Sequence, residues 1–477
     1  MINKYIKATL LAMISVGNMQ AQIARPIPKL VVNIAIDQLR TDYIETFLPY
    51  YGEKGFRKLF YGGAVYDNAQ YSFSPVDEAS ALATIVTGTS PYYHGISGTM
   101  WLDKNTLVPI SCVDDNSCEG LFTKDASSPQ SLTATTVNDE LKMSTDGKAF
   151  VYSVALNREA AVLGGGHAAD GAFWINKSSK CWCTSNYYGK REPNWMTDYN
   201  LSTEVNVEKD NGNANVTDMA LLCLSSVNMG QDDVPDMLTV TYDAKPLSKD
   251  KDGKKLQSLY MQLDHELGKL ISTVEEKVGK NNVLFVVTGT GYTTDTDEKF
   301  KKYHIPTGTF YINRTANLLN MYLSAIYGQN KYVEGYFYNQ IFLNIKQIEL
   351  KRISMSDILS RSQSFLIQNA GVRNVFTSKN LLFSGEAGNA KMHNWYNPSR
   401  CGDIIVEVAP GWKLFNEENK QQYISRETLS SFPIVLYGTG IMAKQVSTPV
   451  AVERIAPTIA KAIRIRAPNA CATAPLY

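Results

Sequence analysis

The chain has 477 residues, with 47 Lys and Arg against 46 Asp and Glu. That length suits one large α/β domain with insertions, or two to three smaller domains. So even a charge balance excludes recruitment by a global positive field, so neither nucleic acid nor an anionic membrane surface is expected as a partner.

Residues 1–21 read as a secretory signal peptide: Lys4 and Lys7 supply the charged region, residues 8–16 the apolar run, and Met19-Gln20-Ala21 the small-residue cleavage site. The run is too short to span a bilayer, and no later segment reaches about 18 apolar residues, so no membrane span is expected. Gln22, not Cys, follows Ala21, which gives no lipoprotein attachment site. The expectation is a periplasmic or secreted protein formed by residues 22–477. Its seven cysteines are an odd number, so at least one is unpaired within the chain. Cys112 and Cys118 are spaced to close a short surface loop. A bridge across Cys181-Trp182-Cys183 would be strained, and a lone CxC pair is a weak metal signal.

Residues 30–36 (LVVNIAI) form an apolar run ending at Asp37, which predicts a buried parallel strand that delivers a carboxylate at its carboxyl end. A helix is expected over 80–86 and core strands over 148–156 and 237–242. A long amphipathic helix follows at 256–278, then a strand at 282–288. Late strands at 404–408 and 434–437 precede a closing helix over 452–463. Strands alternating with helices predict an α/β fold built on a doubly wound, mostly parallel sheet. Two stretches break the rhythm. Residues 165–211, rich in Trp, Tyr, Asn and Ser, and 301–389, Tyr-rich and polar, are expected as cap insertions over the carboxyl edge of the sheet.

The segment from Ser74 to Trp101, SPVDEASALATIVTGTSPYYHGISGTMW, carries the most information. Pro75 and the block Thr87-Gly88-Thr89-Ser90-Pro91-Tyr92-Tyr93-His94-Gly95 resemble the nucleophile segment of the alkaline-phosphatase superfamily. The similarity is to its type I phosphodiesterase and nucleotide pyrophosphatase branch, which includes secreted bacterial phosphate-repressible alkaline phosphatases. The resemblance extends over nearly the whole mature chain. It implies phosphate-ester hydrolysis by two zinc ions that activate a nucleophile and neutralise the transferring phosphoryl group.

Set against that resemblance, the site is incomplete. Asp37, in Ile36-Asp37-Gln38-Leu39-Arg40, matches the first metal carboxylate; its plain alternative is a helix cap or a partner for Arg40. Three residues after Pro75 stands Glu78 where the nucleophile is expected, and a first-turn helix residue favoured by the macrodipole is its plainer reading. Asp243 matches the second carboxylate, but the His expected four residues later is Leu247. The Asp-His pair after the strand at 282–288 is replaced by Thr290 and Gly291. No His lies between Glu417 and Pro433, and Gln422 falls near the expected place of the last ligand. At the phosphate-contact positions stand Thr99 for an Asn, and Asn157 and Glu159 for a Lys-x-Arg pair.

Only Asp37 and Asp243 remain as metal positions, so the zinc that the family implies is not expected to bind. The predicted protein is an exported pseudoenzyme that holds an unknown protein or glycan partner; the alternative is an active phosphoric-ester hydrolase with an altered metal site, formed by Asp37, Glu78 and Asp243. Residues 181–195 (CWCTSNYYGKREPNW) are either an aromatic interaction surface or packing for the cap.

Overall fold

The strand Leu30–Asp37 (β1) is buried on both faces: one side-chain row is wholly apolar, and the other sets Val31 and Ala35 around the buried Asn33 before ending at Asp37. Val31 and Ala35 enter one hydrophobic core, and Leu30, Val32, Ile34 and Ile36 enter the other. Period-two alternation divides one strand between two cores in this way. Full burial of each such Leu, Ile or Val contributes about 1.5–3 kcal/mol. The computed structural model describes residues 26–203, 205, 212–245, 254–293, 303–383, 389–423 and 428–477. The expected leader at 1–21 and Leu247 lie outside them.

The centre of the sheet is formed by β1, Val151–Ala155 (β2), Asp236–Asp243 (β3) and Val283–Gly289 (β4). The ten strands run in the order Lys444–Val446, Ala64–Tyr66, Ile434–Gly438, β4, β1, β3, β2, Gly171–Asn176, Cys181–Ser185, Gly120–Leu121. From β4 to Gly171–Asn176 the strands are parallel, and the neighbours Ile434–Gly438 and Cys181–Ser185 run antiparallel. Helix Glu78–Thr87 (α1) and helices Arg158–Gly165 and Ile455–Ala462 supply the first core. Helices Asn213–Ser226 and Lys254–Val278 supply the second. The latter buries Leu263, Leu267, Leu270, Ile271 and Val274, an apolar stripe at helical spacing.

Three sequence expectations need correction. Within the stretch expected as a cap at 165–211, Gly171–Asn176 and Cys181–Ser185 instead extend the main sheet, where Trp174 and Trp182 are buried. Strand Ile404–Val408 is not in the main sheet either. It pairs with Gln340–Leu343 and Val372–Thr377 in a separate four-stranded sheet. With helices Ile312–Tyr327 and Met355–Leu366 it forms a third core, so the second insertion extends past residue 389. It also takes in Trp412–Asn416 and Gln421–Tyr423, which pair with each other beside Gly308–Tyr311. Finally, all seven cysteines are free thiols. Cys112 is buried, while Cys118 donates to the Asp115 carboxylate at 3.5 Å.

The cap is fastened to the segment that carries the motif. Trp395 Nε1 donates to the Ser97 carbonyl at 2.6 Å, Asn394 Nδ2 to the Ser72 carbonyl at 3.0 Å, and the Ser74 amide to the Lys391 carbonyl at 3.1 Å. The His393 ring stacks on Tyr92 with centroids 5.1 Å apart.

Candidate functional site

Parallel register sets Asp37 at the end of β1 directly beside Asp243 at the end of β3. The chain turns away from β1 at Gln38 with a positive φ of 56°. Open α/β sheets present their reactive groups at this carboxyl edge.

α1 starts above it. Asp77 is its N-cap: Oδ1 accepts the Ser80 amide at 2.9 Å, and Ser80 Oγ accepts the Asp77 amide at 3.0 Å. This reciprocal box fixes where the helix begins, and places Glu78 at its first position. Gly88 closes the helix in the left-handed region, where a Cβ would stand 2.9 Å from Cys471 Sγ and from the Glu453 carbonyl. His94 is buried and serves the frame. Its Nδ1 accepts the Ile96 amide at 3.1 Å, so Nε2 carries the proton toward Thr84 Oγ1 at 3.0 Å. Burial holds this imidazole neutral, its pKa lowered to about 3.

Among the described residues, the polar side chains of the predicted site have partners within the protein. Asp37 Oδ1 accepts from Thr290 Oγ1 at 2.8 Å, and Oδ2 from the Tyr292 hydroxyl at 3.3 Å. Glu78 is half-buried, and both of its carboxylate oxygens lie 3.1 Å from Asn157 Nδ2. Asp243 Oδ1 accepts the Lys245 amide at 2.6 Å. Thr99 donates its amide and hydroxyl to Asp77 Oδ2 at 2.6 and 2.9 Å. Glu159 accepts Ser111 Oγ at 2.6 Å and Arg158 Nη2 at 3.0 Å, and Arg158 also pairs with Asp114 at 2.9 Å.

After burial, Asp37 is the main cause that raises the pKa of Glu78 and Asp243. Burial and then Asp37 hold the Glu78 carboxyl well above the usual range. Burial and then Asp37 push Asp243 up to about 7, against the opposing effect of Lys245. Asp37 is raised by burial although Thr290, Tyr292 and Gln38 stabilise its anion. The edge gathers acidic side chains. Among the described residues, no three His, Cys, Asp or Glu side chains converge as a metal-ion cluster.

Three aromatic residues outside the motif segment line the next strand end. Gly291 has a positive φ of 73°, and a Cβ there would meet Phe432 Cε1 at 2.4 Å and Tyr71 Cε2 at 3.0 Å. Phe432 is buried and stacks on Tyr71 with centroids 5.5 Å apart, and the Tyr71 hydroxyl donates to the Gly289 carbonyl at 3.1 Å. Tyr292 completes the group through Asp37. The one visible signal was Tyr292 directly after Gly291. Gln422 does not reach this place: it is exposed in the cap sheet opposite Phe415. The aromatic stretch 181–195 divides: residues 182–185 are buried, whereas Tyr187 is exposed. Trp182 is fully buried, and Trp195 stands edge-on to Phe173 at 5.3 Å.

Known proteins resemble the chain along almost its full length. It is 25% identical to alkaline phosphatase PafA of Elizabethkingia meningoseptica, over 98% of each chain. It is 24% identical to alkaline phosphatase PhoV of Synechococcus elongatus, over 93% of this chain and 91% of that one. The crystal structure of wild-type PafA superposes with a TM-score of 0.82 at 24% identity, over 95% of this chain and 99% of that one. The family model for type I phosphodiesterase / nucleotide pyrophosphatase matches residues 31–431, and the chain belongs to that family, within the alkaline-phosphatase superfamily.

Proposed function

We propose that this chain is an exported family member that has lost phosphoester hydrolysis and acts as a binding or scaffolding protein, with a protein or glycan partner. The observation that carries this reading is at Asp37. Its two carboxylate oxygens are taken by Thr290 and Tyr292, which belong to the segment where the family resemblance expects two further metal ligands.

Zinc at that position would displace both donors. It would also call for an imidazole at residue 291, where even a Cβ collides with Phe432. The residues present do not fit a dinuclear zinc centre. Phosphate fares no better, because Glu78 stands in the nucleophile's place beside Asp37, Asp243 and Glu159. Like charge at that spacing opposes an anionic substrate. The alternative, a single metal held by Asp37, Glu78 and Asp243, has weaker support, since each of these carboxylates already accepts a donor from the protein.

The test is metal analysis of the purified exported protein, together with turnover of an aryl phosphate monoester and diester. Substoichiometric zinc and no turnover are expected. Stoichiometric zinc, with turnover abolished by Asp37→Ala, overturns the reading.

A further inference from the structure

We infer that a groove at the amino edge of the main sheet binds a short anionic saccharide. The groove lies at the edge opposite Asp37: Lys280 and Asn281 belong to the turn Lys280–Asn282 that leads into β4, and Gly438 ends its antiparallel neighbour. Its volume is about 480 Å³, which falls in the range of about 300–1,000 Å³ typical of small-molecule sites.

Two of the cations are held in place before any ligand arrives. Arg57 donates to the Leu48 carbonyl at 3.2 Å, the Pro49 carbonyl at 3.0 Å and Glu53 at 3.2 Å. Lys58 bonds Glu275 and lies 5.7 Å from the centroid of the Tyr437 ring, which in turn donates to Glu275 at 3.1 Å. Lys280 is exposed and has no ion-pair partner among the described residues. Three cations therefore face two carboxylates, and cations fixed by their neighbours lose little freedom on binding. The carboxyl edge, by contrast, gathers carboxylates, which oppose an anion there.

The ring-binding element is Tyr61, on the short helix Phe56–Gly62 and 70% exposed. An exposed aromatic face beside fixed cations suits a sugar ring that carries a phosphate or sulfate ester: the ring covers the apolar face of the sugar, and the cations take the ester oxygens. The exposed amide of Asn281 offers both a donor and an acceptor for hydroxyls. The inference stands apart from whether the carboxyl edge is catalytic.

Calorimetric titration of the whole exported protein with glucose 6-phosphate, glucose 6-sulfate, glucose and inorganic phosphate tests it. At least one ester is expected to bind about tenfold tighter than either glucose or inorganic phosphate, and the affinity to fall as salt rises. The tighter ester identifies the anion. Lys280→Glu and Tyr61→Ala alter exposed side chains, and each is expected to weaken binding about fivefold or more with the unfolding transition unchanged. No binding of either ester overturns the inference. So does inorganic phosphate binding as tightly as the esters, or affinity that neither substitution changes.

Discussion

Thr290 and Asp37 form a hydroxyl-to-carboxylate bond of 2.8 Å, and the same Thr290 oxygen accepts the Gln38 amide at 2.8 Å. One side chain thus ties the end of β4 to the turn that follows β1. Both groups are buried. A short hydroxyl suits this closed arrangement, and the longer charged side chain expected at this position would bring a second anion against Asp37. Thr290→Asp is therefore expected to destabilise the fold by about 2–4 kcal/mol at neutral pH, as an unpaired charge placed in a buried site does. Urea unfolding at pH 7 and pH 4 checks it. The cost should shrink at pH 4, where the new carboxyl can remain protonated. An equal cost at both values would point to packing instead of charge.

Gly291 and Phe432 are matched by absence of volume. Because Phe432 Cε1 would stand 2.4 Å from a Cβ at residue 291, Gly291→Ala is expected to cost about 2–4 kcal/mol, combining overpacking with a positive φ. Removing the ring isolates the first part. In a Phe432→Ala background the same change should cost at least about 1 kcal/mol less, a coupling that contacting residues display. Additive costs in chemical unfolding would show that the ring is not the obstacle.

Asn157 stands between Glu78 and instability. Its amide is the donor recorded to both carboxylate oxygens, and Glu78 also feels Asp37, Asp243 and Glu159. Asn157→Ala is expected to destabilise by about 1–3 kcal/mol, the cost of stranding a half-buried acceptor. In the Asn157→Ala protein, Glu78→Gln should recover part of that loss above neutral pH, since it removes the repelled charge. A greater loss in the double variant than in Asn157→Ala would sink this account.

The legible part of the molecule was what one strand or one motif can encode. The largely apolar run before Asp37 announces a buried strand, and the Pro75-to-Gly95 block announces a helix and the family resemblance. Partnering across the chain was not legible. The pentad Ile404–Val408 is as apolar as a main-sheet strand, and nothing local says that it pairs with Gln340–Leu343. The stretch 171–185 was misread for the reverse reason: its Trp and Asn content suggested a surface, yet its alternation buries Trp174 and Trp182 against the sheet. At the site, the substitutions at 78, 290 and 291 were visible one by one. That Phe432 and Tyr71 fill the space beside Gly291 depends on segments brought together only by the fold.

His167 offers a pH test away from the carboxyl edge. Its Nδ1 meets Asp139 Oδ2 at 3.0 Å and its Nε2 the Leu132 carbonyl at 3.0 Å, so both nitrogens face acceptors and the cation is favoured. Asp139 raises the His167 pKa above 6.5, while hydrogen bonds from His167 hold Asp139 below 3.8 despite burial. The histidine's contribution is complete below pH 6.5 and fades as pH rises through its folded value. The aspartate's is present above 3.8 and fades as pH falls through its own. His167→Gln is therefore expected to lower stability by about 1 kcal/mol near pH 5.5, a modest value because the ring is partly exposed. Near pH 9 the loss should be smaller. Thermal unfolding across this range checks the sign, and a loss that grows with pH would refute it.

Metal addition gives the last prediction. A ligand that binds only the folded state stabilises it by RT ln(1 + [L]/Kd), about 2.7 kcal/mol at a hundredfold excess over Kd. A structured zinc pair would therefore raise the unfolding midpoint by several degrees at micromolar zinc, and a chelator would reverse the gain. With Asp37 bonded to Thr290 and Tyr292, and with Phe432 against Gly291, neither change is expected: the midpoint should move by less than about 1 °C in either direction. Asp37→Asn provides the control. The amide keeps an acceptor for Thr290 but loses most metal affinity, so it should leave the zinc response of the protein as it was. A zinc-dependent rise that disappears in Asp37→Asn would mean that the hydroxyls yield to the metal, and that the carboxyl edge still holds a working ligand.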